Sequence, residues 1–295
     1  MNKVSHLIQS FRLGGLTRQE LDMCLPEMRK RNVHTLNIML PTIFVIALLL
    51  TIVALIPGSG EEGNLDMYLL FAVITAAEYI VFRLCFLKKD NNVIAIAYVF
   101  IVTLYFLGMY EAVYLGSEST SVVYCIFTVI VPVIVIDLPS RLAFVSIVME
   151  AVLLILHSYA APGLGDQFVV VNSLSSTFLG VICGYTIQKT KFSDIRNHLM
   201  LEVQRDTDMM TGSRSRVAYI RDLSMMSDTE ISAGVIYADV NGLKKANDTM
   251  GHKAGDALIK DAFALLQRYF GEASDSIYRI GGDEFVVVSI GEKET

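Results

Sequence analysis

Three short segments near the C-terminal end of the chain carry residue types that can do phosphate chemistry. An apolar run over 235–239 ends on Asp239 and continues Val240-Asn241-Gly242-Leu243-Lys244. A carboxylate at a strand end is rigidly held, and the turn after it can present main-chain N–H groups to an anion. Asp239 there suits Mg²⁺, which takes one or two carboxylates and shares its other positions with water and phosphate oxygens. Lys244 can offset phosphate charge. The second segment, Asn247-Asp248-Thr249-Met250-Gly251-His252, leads to Gly255-Asp256 at the start of a helix. An amide and an acid match a guanine edge, the acid accepting from the ring N–H and exocyclic amine and the amide donating to N7 or O6. The third, Arg279-Ile280-Gly281-Gly282-Asp283-Glu284-Phe285, sets two adjacent carboxylates beside a two-glycine turn. Glycine permits the positive φ such a turn needs, and its missing side chain leaves room for a nucleotide. Asp283 and Glu284 project to opposite faces of a regular strand. One can share a metal with Asp239 while the other acts from another direction. Two carboxylates from separate strands around Mg²⁺ point to metal-assisted phosphoryl or nucleotidyl transfer. Each segment taken singly also has an ordinary explanation: a solvated strand end, capping by Asn and Asp, or an acidic hairpin.

The elements that must position these residues form an α/β pattern from Thr211 onward. Residues 215–223 read as a helix, 233–240 as a β-rich run, and 256–269 as a helix with Leu258, Ile259, Ala262, Phe263 and Leu266 at helical spacing. Residues 276–280 and 284–290 read as two strands of a hairpin around Gly281-Gly282.

Upstream the composition is of another kind. Of the 295 residues 53% are hydrophobic and only 18% charged, as in a chain partly embedded in lipid. The net charge of −6 gives no support for nucleic-acid binding, which needs a basic face. Cys24, Cys85, Cys125 and Cys183 form no CxxC pair, so they read as buried or lipid-facing thiols. Six apolar runs occupy 33–57, 66–87, 93–115, 121–136, 142–161 and 168–187, most of them near the ~20 residues needed to cross a bilayer. The fourth is the shortest, and Pro132 is expected to kink it.

Basic breaks (Arg29, Lys30 and Arg31; Arg83, Lys88 and Lys89; Arg141; Lys189 and Lys191) alternate with breaks lacking a basic residue. That alternation places both termini in the cytoplasm. Glu78 and Glu150 lie near mid-span. Such residues either sense a ligand, ion or proton or are polar groups satisfied by neighbouring helices, and the sequence leaves both open. After the last span, Phe192, Ile195, Leu199 and Val203 form one helical stripe. This is the pattern of a linker helix, or in a dimer of a short parallel coiled coil. The expected organisation is a cytoplasmic segment 1–32, a six-helix transmembrane region 33–188, a linker helix 189–207 and a catalytic domain 208–295.

The residues from Asp208 onward resemble the diguanylate cyclase family. Gly281–Phe285 spells GGDEF, and 239–256 reads DVNGLKKANDTMGHKAGD, the pattern that precedes it in that family. Asp208-Met209-Met210-Thr211-Gly212 resembles the family's opening motif, with Met210 and Ser213 in place of leucines and Ser215 in place of Asn. The resemblance implies a fold and a chemistry. The fold is an α-helical membrane bundle of about six spans followed by an α/β palm domain like that of nucleotide cyclases. The activity is condensation of two GTP into cyclic di-GMP and pyrophosphate by a homodimer. Asp239, the Val240 carbonyl and Asp283 would hold Mg²⁺ (or Mn²⁺), and Asn247 and Asp256 would read guanine. Lys244 would contact phosphate, Gly281 and Gly282 would line the nucleotide, and Asp283 and Glu284 would be catalytic. Such a protein sits in a bacterial inner or plasma membrane and reaches cyclic di-GMP receptors only through its product. Glu272 stands where many relatives carry the arginine of an RxxD product site. An anion cannot replace a guanidinium clamp, so product inhibition there is not expected. The family's domain continues past the GGDEF hairpin, so the palm is expected to be incomplete at its C-terminus. A non-catalytic module binding GTP or cyclic di-GMP is the alternative. A transporter is disfavoured by the lack of an inverted repeat.

Overall fold

Long apolar stretches become long helices, and in the computed structural model these dominate the first two thirds of the chain, with Pro26 and Pro41 accommodated inside the first of them. It describes residues 10–58, 62–87, 93–114, 121–160, 166–227, 233–271 and 275–290. The helices are α1 (Arg18–Ala54), α2 (Leu65–Leu87), α3 (Val93–Tyr114), α4 (Ser121–Ile134), α5 (Pro139–Ala160) and α6 (Asp166–Asp206). Among the described residues, five helices are long and apolar enough to cross a membrane, and α4 is a shorter apolar helix. At 14 residues α4 is about 21 Å long, short of the ~30 Å hydrocarbon core. Apolar side chains such as Leu49, Leu70, Val73, Phe144 and Phe178 are exposed along these helices, as expected of surfaces that meet lipid.

Two boundaries differ from the hydropathy reading. Helix α1 begins at Arg18, well ahead of the apolar run at 33. A capping box starts it: the Thr17 hydroxyl accepts from the Glu20 N–H, and the Glu20 carboxylate accepts from the Thr17 N–H. Helix α6 runs unbroken through the junction near 188, because no glycine or proline follows Gly184 before Asp206. Hydropathy changes there, but backbone propensity does not. The chain forms two compact units, residues 1–196 and 197–295.

Several polar groups inside the first unit are met by its own side chains. Glu150 accepts from Tyr124 (3.1 Å), Ser173 (2.7 Å) and Thr177 (2.8 Å). Glu78 accepts from the Thr103 hydroxyl at 2.5 Å through one oxygen. The end of α4 is stitched by Gln188, whose amide donates to the carbonyls of Pro132 (2.7 Å) and Val135 (2.6 Å), and by Asn32, which exchanges two 2.8 Å bonds with Ile136. Carbonyls freed at a helix end are thereby satisfied. The stripe after the last span divides. Phe192 and Ile195 are fully buried, Phe192 lying so close to Gly14 that a Cβ there would stand 2.4 Å from its ring, whereas Val203 is exposed. The stripe is therefore not a continuous free seam for a coiled coil.

In the second unit, β1 (Arg214–Ser215), α7 (Arg216–Ser227), β2 (Ala233–Asp239), α8 (Leu243–Met250), α9 (His252–Phe270), β3 (Asp275–Arg279) and β4 (Glu284–Ile290) follow in order. The sheet order is β1-β3-β4-β2, with β1 parallel to β3 and the other pairs antiparallel. Alternation along β4 divides the core. Val286 and Val288 pack with Tyr278 and Ala218 toward α7, while Phe285 and Val287 pack with Ile277 and Ile259 toward α9, as period-two side chains require. Strand β2 is an outer strand, and its Val235 and Ile236 are exposed.

Candidate functional site

The antiparallel register of β2 and β4 sets Asp239 directly opposite Glu284. Cross-strand partners share a face, with Cβ atoms about 5 Å apart, so two carboxylates from distant parts of the sequence meet at one sheet end. Just past the end of β2, the N–H of Val240 donates to the Asp283 carbonyl at 3.0 Å. This bond brings the main chain of Val240 against Asp283, the third acid. Tyr237 lies two residues before Asp239 on the same face and hydrogen-bonds to Glu284. That bond is the main cause pushing its hydroxyl pKa up to about 12, reinforced by the negative charges of Glu284, Asp239 and Asp283. One exposed phenol thus feels the negative charge of all three acids.

The connection between β3 and β4 differs from a tight two-residue hairpin. Neither Gly281 nor Gly282 has positive φ. The loop spans 280–283 and is closed by the Ile280 N–H donating to the Glu284 carbonyl at 3.0 Å. A loop of this length escapes the mirror-image turn that forces positive φ. Gly281 differs from Gly282 in its surroundings. A Cβ there would lie 2.4 Å from Glu284 Oε2, whereas at Gly282 it would meet open space.

Arg279 anchors this loop. Its guanidinium donates to the Gly282 carbonyl at 2.6 Å and to Asp208 Oδ1 at 2.9 Å. Asp208 also accepts from the Thr211 N–H and hydroxyl at 3.0 and 2.7 Å. Burial works against ionisation of Asp208, but the bonds from Thr211 and Arg279 outweigh it and hold the carboxyl below its ordinary range. The opening motif is therefore wired to the acidic loop.

The other predicted residues come from the α8–α9 layer. Gly242, at φ +81°, caps α8 in a left-handed conformation open to glycine. Lys244 is exposed in the first turn of α8. Helices α8 and α9 meet where a Cβ on Gly255 would stand 2.0 Å from Asn247 Oδ1. Asn247 is thus held beside the residue preceding Asp256, which is exposed on α9. Helix α8 was not evident in the sequence, since it is short and polar, and α9 starts at His252 rather than near Asp256. Tyr237 and Arg279 also went unassigned. The period-two offset of Tyr237 from Asp239 is the signal that could have found it. Glu272 lies outside the described residues.

Among the described residues, no three His, Cys, Asp or Glu side chains converge as a ready-made metal cage. The residues expected to hold a metal, Asp239, Asp283 and the Val240 carbonyl, offer oxygen donors alone. Such an oxygen-only, incomplete set fits Mg²⁺, which keeps positions for water and phosphate oxygens.

Residues 206–294 match the family described as diguanylate cyclase, GGDEF domain. Diguanylate cyclase DgcS of Shewanella oneidensis is 35% identical over 95 residues, which cover 31% of this chain and 32% of that protein. An uncharacterized membrane protein of Staphylococcus saprophyticus is 33% identical over 91 residues, covering 30% and 25% respectively. Among solved structures, the coiled coil and GGDEF domain of DgcB from Caulobacter crescentus, in complex with c-di-GMP, aligns over 36% of this chain and 57% of that one, at 25% identity and a TM-score of 0.31. The match spans about a third or less of the length of these curated relatives. The C-terminal unit is a GGDEF domain of the diguanylate cyclase type. It follows a helical membrane region, which makes the chain a membrane protein.

Proposed function

We propose that this protein is a membrane-bound diguanylate cyclase in which two copies, each holding one GTP, join them into cyclic di-GMP and release pyrophosphate. The observation that carries this reading is the pairing of Asp239 with Glu284 across β2 and β4, with Asp283 bonded to the main chain of Val240. Asp239, Asp283 and the Val240 carbonyl hold Mg²⁺ (or Mn²⁺), which when bound offsets phosphate charge at the reacting centre. Gly282 leaves open space above the loop for the nucleotide, and Gly281 lets the Glu284 carboxylate settle against the backbone. Asp283 or Glu284 takes the proton from the attacking 3′-hydroxyl, which bonds to the α-phosphorus of the partner's GTP as pyrophosphate leaves. Asn247 and Asp256 read the guanine edge, and Lys244 neutralises phosphate charge.

Alternating basic and non-basic breaks support a multi-pass arrangement in a bacterial inner or plasma membrane. Both termini then face the cytoplasm, where GTP is found. The bilayer and a second copy are the partners, and receptors are reached only through the product. The test is to incubate the purified full chain in detergent with GTP and Mg²⁺ and to resolve the nucleotides by chromatography. Cyclic di-GMP and pyrophosphate are expected. GTP that binds but is recovered unchanged would favour a non-catalytic regulatory module.

A further inference from the structure

One end of the helical bundle carries a charged cavity that the cyclase chemistry does not use. It is an open groove of about 710 Å³ lined by Lys30, Arg31 and His34 of α1, Arg83 of α2 and Lys191 of α6, with Glu27 as its acid. Glu27 is already shared, 4.0 Å from Lys30 and 3.1 Å from Arg31. Four basic side chains, that of Lys30 largely exposed, therefore share one carboxylate. Among the described residues, the hydrogen bond of Arg83 is a long one, 3.5 Å to Asn37. Lys191 donates to the Val133 carbonyl at 2.6 Å, and an ammonium has further donors to give. Cations held together in this way repel one another unless an anion sits among them.

We infer that this cavity binds the phosphate headgroup of an anionic phospholipid. The surroundings favour a lipid over a free anion. Ile38 lies one turn from His34, and Ile80 and Leu84 lie within a turn of Arg83, all three exposed. An amphiphile could set its phosphate among the cations and its acyl chains along these side chains. Basic pockets between helices at a membrane surface are suited to such headgroups. Lys191 belongs to α6, the helix that continues to Asp206, so an occupied cavity would tie three helices to one ligand.

The test is the melting temperature of the full chain in detergent, titrated with phosphatidylglycerol, phosphatidylcholine or inorganic phosphate. Phosphatidylglycerol is expected to raise it saturably and phosphatidylcholine to leave it unchanged. Arg83→Gln should weaken the phosphatidylglycerol effect about fivefold, the share of one interfacial cation, and Arg83→Lys should restore most of it. Lys260→Gln, on α9, should change nothing. An equal shift from phosphatidylcholine would overturn the proposal, as would one from inorganic phosphate at the same concentration. An unchanged affinity in Arg83→Gln would overturn it too. Lys191→Gln gives a second reading, with its melting temperature in phosphatidylcholine reporting whether loss of the Val133 bond alone loosens the bundle.

Discussion

The carboxylates of the two units are treated in opposite ways. Glu150 is buried in the bundle and takes three hydroxyl donors from two neighbouring helices. Asp239 is exposed at the end of β2, where the neighbouring phenol of Tyr237 bonds to Glu284 instead. A buried acid whose coordination is filled by the protein is a structural element, because an unmet polar group there is costly. Acids gathered at a sheet end with their oxygens left open have room for a metal and a phosphate. Burial and hydrogen-bond supply, rather than residue type, separate the two roles.

The comparison can be broken most severely at the loop. Asp283→Asn is expected to lower cyclic di-GMP formation at least about hundredfold, the scale of losing a charge that stabilises the transition state, with the unfolding midpoint unmoved. A parallel loss of stability would mean that Asp283 is structural after all. Glu150→Ala should do the reverse. Removing the acceptor of three buried hydroxyls is expected to cost about 1–3 kcal/mol, read from thermal unfolding in detergent. If the protein melts as before, the polar cluster does not hold the bundle together.

The two glycines sharpen the contrast within the loop. Gly281→Ala must displace the Glu284 carboxylate and should reduce turnover about tenfold, of the order of a positioning error near the chemistry. Gly282→Ala meets open space and should fold and melt normally. Equal effects from the two would remove Glu284 from the account. The smallest effect is in acid. The folded-state pKa of Asp208 is depressed, so its bond to Arg279 contributes stability above the unfolded carboxylate pKa of about 4. That contribution is lost as pH falls through the lower folded value. Asp208→Asn should therefore flatten the stability profile on the acid side of pH ~4, as followed by urea unfolding.

Much of this was legible in the sequence because the signals are local. The apolar runs gave the helices, the short run 284–290 after Gly281-Gly282 gave β4, and Asp239, Asp283 and Glu284 were singled out by their neighbours. What escaped depends on backbone continuity or on contacts across the fold. Helix α6 crosses its hydropathy boundary because nothing in 185–206 breaks a helix. Helix α8 buries no residue fully, so it leaves no apolar period to read. The positive φ expected at Gly281 was wrong because loop length, not glycine content, decides the turn. Gly281 instead lies close to the Glu284 carboxylate, a contact that only the folded register creates.

The most direct measurement compares wild type, Asp239→Asn and Glu150→Gln for cyclic di-GMP formation from GTP across a Mg²⁺ titration. The account predicts Mg²⁺-dependent product from wild type, little or none from Asp239→Asn at any Mg²⁺ concentration, and near-normal turnover per folded molecule from Glu150→Gln. Product from Asp239→Asn at the wild-type rate would contradict the claim that the open acids at the sheet end hold the metal.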